Sequence, residues 1–261
     1  MRPPAGRTRL MPDRLVAHCL LVEGATGLTL VDTGIGTGDV ADPRRLGAPF
    51  VAAVGAVLDL DETAVVQVRA LGHDPGDVRD IVVTHLDLDH AGGLGDFPAA
   101  RVHVHADELA AARARRHPKE KGRYLHAQWA HRPHWVEHRA EHRAGGEEWF
   151  GFEAVRAVGE DVLLVPLPGH TRGHSAVAVR RPSGGWFLHA GDAYFFHGEK
   201  ARPASCPSGL RAFQNLVQMD RRARLANAER LRSLHADHGG EVTVFSAHDA
   251  VELEALIGVT D

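Results

Sequence analysis

A short apolar strand that runs straight into a crowd of metal-binding side chains leaves few ways to fold. Residues 80–85 read DIVVTH, and the chain continues as LDLDHAGG to residue 93. His85, Asp87, Asp89 and His90 fall within six positions. The pattern predicts a buried strand ending at a sheet edge, with its ligands delivered to the loop that follows. Loops on a rigid sheet are where metal and catalytic groups sit. On an extended chain His85, Asp87 and Asp89 alternate onto one face. The turn after the strand can reorient the last pair, and Gly92 and Gly93 let the backbone approach closely. Imidazole and carboxylate together suit Zn²⁺, Mn²⁺ or Fe²⁺. The plainer alternative is a solvated acidic turn with two surface histidines.

Three later segments weigh against that alternative. PGHTRGHS carries His170 and His174, LHAGDAYF carries His189 and Asp192, and FSAHDA carries His248. Each follows an apolar run and precedes a turn. The chain has 19 histidines, so any one of them is weak evidence and the joint pattern carries the argument.

The rest of the chain reads as strands interleaved with helices, an α/β or α+β layered domain. Residues 15–32 suggest two strands and a turn. Residues 61–72 suggest a helix capped by Asp61 and stopped at Gly72. A strong helix follows residue 106, strands return from 161, and one or two helices occupy 209–236. Residues 115–150, rich in His, Arg, Glu and Trp, read as a helical insertion or lid within one domain spanning 1–261. With residues 134–143 helical, His131, His134, His138 and His142 fall near one face, more simply a solvated face than an accessory metal site. A net charge of −4 without long runs of one sign argues against a nucleic-acid binder. No apolar run reaches the roughly 20 residues of a membrane span. No signal peptide is evident and the two cysteines are isolated, so a cytoplasmic location is expected.

HLDLDHAGG resembles the HxHxDH signature of the metallo-β-lactamase fold. VDTGIG at 31–36, PGHTRGHS, GDAYF and SAHD follow in the order of that family's other motifs. The resemblance covers residues 15–250 and implies a four-layer αββα sandwich with metals at one edge of two facing sheets. The His-Asp ending at 248–249 and the insertion before PGH lean toward its lactonase and glyoxalase II-like branch. Carried over by position, the resemblance implies two divalent ions, Zn²⁺ with Mn²⁺ or Fe²⁺ as alternatives. His85, Asp87 and His170 would hold the first; Asp89, His90 and His248 the second. Asp192 would bridge, and Asp32 would hydrogen-bond a ligand or the loop backbone. A hydroxide between the metals would attack a small ester, lactone or thioester. Asp89 would pass a proton, and Tyr194 is the candidate oxyanion donor. His174 and His189 would support the ligands.

The departure is Asp87, where the family pattern has histidine. Three carboxylates in place of two leave a dinuclear hydroxide centre near neutral, which favours harder, oxygen-preferring metals. Trp129, Trp135, Trp149 and Phe150 are expected to line a pocket for a small molecule with an apolar portion. A phosphodiesterase of the same fold, left open by the arginine-rich stretch RARRHPKEKGR at 113–123, an iron oxygenase and a non-enzymatic metal binder are the alternatives. A monomer and a homodimer are equally compatible with the sequence.

Overall fold

The computed structural model describes residues 10–24, 27–139 and 147–257. Its strands form two sheets. In the first, β1 (Leu20–Gly24) and β2 (Gly27–Val31) pair as an antiparallel hairpin. β3 (Val78–Val82), β4 (Arg101–His105) and β5 (His134–His138) then add in parallel, giving the order β1-β2-β3-β4-β5. In the second sheet the strands stand side by side in the reverse of their order in the chain. β6 (Glu147–Trp149), β7 (Phe152–Val158), β8 (Val162–Pro166), β9 (Ser175–Arg180) and β10 (Trp186–His189) are antiparallel neighbours. β11 (Val242–Phe245) joins β10 in parallel.

Side-chain alternation makes the layers. In β8 and β9, Val162, Leu164, Val177 and Val179 meet Val31 and Val82 of the first sheet, forming the core between the sheets. Their neighbours Leu163, Val165, Ala176 and Ala178 point the other way and pack with Leu231 and Leu234. Those leucines belong to α8 (Arg221–His238), whose buried residues 224, 227, 228, 231 and 234 recur at helical spacing. The outer face of the first sheet buries Leu30, Ile81 and Val102 with Val65 and Val68 of α3 (Ala64–Ala70) and Leu109 of α5 (Ala106–Ala114). The order is helices, sheet, sheet, helices, the expected αββα sandwich. Both faces of β8 and β9 are therefore buried, which is why each reads as a continuous apolar run.

Two local expectations fail. Helix α3 begins after Thr63, while Asp59 caps a separate 3-10 turn at Leu60–Glu62. The insertion is not mainly helical. It holds α6 (Pro118–Arg123), a 3-10 turn at His126–Trp129 and then β5, so residues 134–138 form a strand. His134 and His138 share a face at spacing four on a strand as on a helix, so the polar pattern could not separate the two. His142 lies outside the described residues.

Candidate metal centre

The ends of β2, β3, β8, β10 and β11 meet at one edge of the sandwich. β2 leads into Asp32 and β3 into His85, while β8, β10 and β11 lead into His170, Asp192 and His248. His85, His90, His170, Asp192 and His248 are all buried. Two compact groups result among the described residues: His85, His170 and Asp192, and Asp89, His90 and His248.

Asp192 links the groups. Its Oδ2 lies 3.8 Å from His85 Nε2 and 3.3 Å from His170 Nε2. Its Oδ1 lies 3.2 Å from His90 Nε2 and 3.0 Å from His248 Nε2. Asp89 stands 3.9 Å from His90 and 3.8 Å from His248. Ligands about 2.0–2.2 Å from a tetrahedral metal stand roughly 3.3 Å from one another, so these spacings suit two ions. The Nε2 atoms of His85 and His90 and Oδ1 of Asp192 are buried without hydrogen-bond partners, as convergent ligand atoms would be.

Three of the four ligand imidazoles are aimed from behind, those of His85, His90 and His248. His90 Nδ1 bonds Asp32 Oδ2 at 2.8 Å, His248 Nδ1 the carbonyl of Val16 at 2.6 Å, and His85 Nδ1 the Thr84 hydroxyl at 2.9 Å. Asp32 also accepts from the Thr84 amide and hydroxyl. It adopts φ +55°, a left-handed conformation held by these bonds. His174 Nδ1 bonds the carbonyl of Leu167, and its Nε2 accepts from the Asp192 amide. His189 Nε2 bonds the carbonyl of His18. His174 and His189 thus stand behind the centre.

The electrostatics ask for cations. Burial works against charge on His90, yet Asp192, Asp89 and Asp32 push it well above the usual histidine range. Burial likewise opposes charge on His248, and Asp192 and Asp89 push it up to about 9. Burial would raise the Asp192 carboxyl, but the surrounding histidines, His248 foremost, hold it well below the usual range. Protons or divalent ions can meet the same demand.

Asp87 stands beside the first group. Its Oδ2 is 3.0 Å from His170 Nε2 and 3.5 Å from His85 Nε2. Its Oδ1 faces the guanidinium of Arg123, 3.3 Å away. The compact first set joins His85 and His170 to the expected bridge Asp192, and Asp87 stands outside it, between His170 and Arg123.

Tyr194 is placed differently from the expected oxyanion donor. Its buried hydroxyl is 3.0 Å from both carboxylate oxygens of Glu252, which also binds Lys200. Burial and that carboxylate push the phenol well above its ordinary range. The next residue, Phe195, turns toward the centre, its ring 4.7 Å from that of His248 and 6.0 Å from that of His170. The tryptophans are likewise not a pocket wall. Trp129 and Trp135 pack against the core of the first sheet, and Trp149 and Phe150 against that of the second.

Two further residues escaped sequence reasoning. Glu108, fully buried, accepts from the Leu86 amide, the Tyr124 hydroxyl, the Thr171 hydroxyl and the Gly173 amide. It ties the HLDLDH loop, the insertion and the His170 loop together. Gly173 is needed there, because a Cβ would lie 2.1 Å from the Glu108 nitrogen. The other is Arg123, whose only sequence signal was its place in an arginine-rich stretch.

Residues 12–248 match the family model of the metallo-beta-lactamase superfamily. The chain belongs to that superfamily. A protein of Mycobacterium tuberculosis described as a probable metallo-hydrolase is 42% identical over 238 residues, 90% of this chain and 75% of the relative. The N-acyl homoserine lactonase AttM of Rhizobium johnstonii is 30% identical over 212 residues, 75% of this chain and 74% of that protein. Among solved structures, an N-acyl homoserine lactone hydrolase with the product N-hexanoyl-L-homoserine at its metal center superposes with a TM-score of 0.67. It is 23% identical and the match covers 92% of this chain and 84% of that one, a likeness of fold. No described helix is long and apolar enough to cross a membrane.

Proposed function

We propose that the protein is a metal-dependent hydrolase of small esters, lactones or thioesters, with the whole chain forming one catalytic unit. The division of the Asp192 carboxylate between two imidazole pairs carries the reading, because one carboxylate facing two ligand groups is a means of spacing two ions. Divalent ions bound there polarise a carbonyl and acidify water. The remaining work falls to side chains. His85 and His170 on one side, and Asp89, His90 and His248 on the other, hold the ions. Asp32 and His174 keep His90 and Asp192 aimed. Asp89, its side chain 22% exposed, would take a proton from the attacking water and pass it to the departing alkoxide. Phe195, with Phe213 6.1 Å away, supplies an apolar wall that excludes water and suits an acyl or aromatic substrate portion. The lactonases among the relatives support a lactone.

The arginine-rich stretch gives little support to phosphodiester cleavage. Arg113 pairs with Glu137, Arg115 bonds the carbonyl of Lys121, and Arg123 pairs with Asp87. Purified protein reconstituted with Zn²⁺, Mn²⁺ or Fe²⁺ should hydrolyse members of a lactone, aryl ester and thioester panel and spare bis(p-nitrophenyl) phosphate. The reverse preference would overturn the reading, and oxygen uptake by Fe²⁺-loaded protein would favour oxidative chemistry. Asp192→Ala and His90→Ala should lose bound metal by elemental analysis and slow turnover roughly a hundredfold or more. Full metal content and full activity in either variant would refute the assignment.

A further inference from the structure

Arg123 is the last residue of α6, and its side chain is only 9% exposed. Its Nη2 donates to the carbonyl of Val217 at 2.6 Å and its Nη1 to that of His170 at 3.4 Å. Its Nε is buried without a partner. Among the described residues Asp87 is the one carboxylate within ion-pair distance of it. The Asp87 carboxylate therefore has two working edges. Oδ2 faces the imidazoles of His85 and His170, and Oδ1 faces the guanidinium. Burial opposes charge on Arg123, but its neighbours, Asp87 foremost, together more than restore it.

A buried guanidinium needs a counter-charge, and a third carboxylate beside Asp89 and Asp192 needs a cation. We infer that Arg123 and Asp87 act as one unit: the pair presents to the first metal position the net charge of a neutral histidine, and Arg123 is a positioning residue that limits how tightly a divalent ion is held there. The inference rests on the metal-centre reading above. It alters the charge count made on Asp87 alone, since three carboxylates and one guanidinium sum to the charge of two carboxylates. It also makes Asp87 and Arg123 interdependent. An imidazole at position 87 would leave Arg123 without its ion partner and set a bare cation beside the metal.

The test is a double-mutant cycle read by metal affinity, with Zn²⁺ alone titrated into the metal-free full-length protein against a chromophoric chelator. Arg123→Met should bind the first-site ion about tenfold more tightly, because a repelling charge has gone. Its metal-free form should melt at a lower temperature than wild type, since the carboxylates then face one another unopposed. Arg123→Lys, which keeps the charge, should bind as wild type does. Asp87→His should weaken first-site binding by about tenfold or more, and Asp87→His with Arg123→Met should recover most of that loss. Should Asp87→His not fold, the contrast between Arg123→Met and Arg123→Lys decides the matter. Additive effects in the cycle, or equal affinities for the Met and Lys variants, would overturn the inference and leave Arg123 as an anchor of α6. A wild-type protein that takes up no Zn²⁺ would instead remove the metal-centre reading, and this inference with it.

Discussion

Asp32 shows how much of this centre is set one residue at a time. Its carboxylate accepts from the Thr84 amide, the Thr84 hydroxyl and His90 Nδ1, all within 2.8 Å. Burial alone would raise its pKa, but the His90 imidazole lowers it below the usual carboxylate value. An amide at this position keeps the shape but loses the negative charge and one acceptor edge, so the His90 ring is no longer held in one tautomer. Asp32→Asn should therefore weaken metal binding by about 10–100-fold in a chelator competition. Unchanged affinity would show that His90 is oriented by its packing alone. The same scale explains why Tyr194 misled. Adjacent residues on the Asp192 loop point in different directions, and nothing in GDAYF says whether the Tyr or the Phe meets the histidines.

Among the elements, the loops after the strands do most to shape the site. Gly191 separates β10 from Asp192 at φ +52°, and a Cβ there would lie 2.6 Å from His174 Nε2 and 3.0 Å from Thr84 Cβ. Gly191→Ala combines a strained backbone with displacement of the imidazole that holds the Asp192 amide. It should cost about 2–4 kcal/mol of stability in urea unfolding and loosen metal binding as well. A change below about 0.5 kcal/mol would mean that the loop relaxes freely. Strands β8 and β9 were legible in the sequence because each is a short continuous apolar run bounded by turn residues. β5 was not. It closes an edge of its sheet, where polar residues are tolerated, so it lacks the aliphatic pattern that marks the central strands.

At the scale of the whole molecule, two histidines away from the centre, His18 buried and His138 half-buried, tie folding to pH. Burial, helped by His189, lowers His18 to about 3, and burial with His103 and His105 lowers His138 to about 4. Their unfolded value is about 6.5, so the folded state binds fewer protons than the unfolded one below that pH. Their contribution to stability is complete above about pH 6.5 and is lost as pH falls toward the folded values. Urea midpoints of metal-free protein between pH 7 and 5 should fall more steeply for wild type than for His138→Gln, and parallel curves would count against this linkage. The sequence by itself determined the layered fold, through its short apolar runs, and the loops that carry ligands, because each ligand segment follows a strand. Only the tertiary structure decided how those loops face one another. The Asp192 split between two histidine pairs, Phe195 in place of Tyr194, Arg123 against Asp87, and Glu108 binding residues 63 and 65 positions away all arise where the two sheets meet. No local pattern records those contacts, because they depend on the register and facing of strands far apart in the chain.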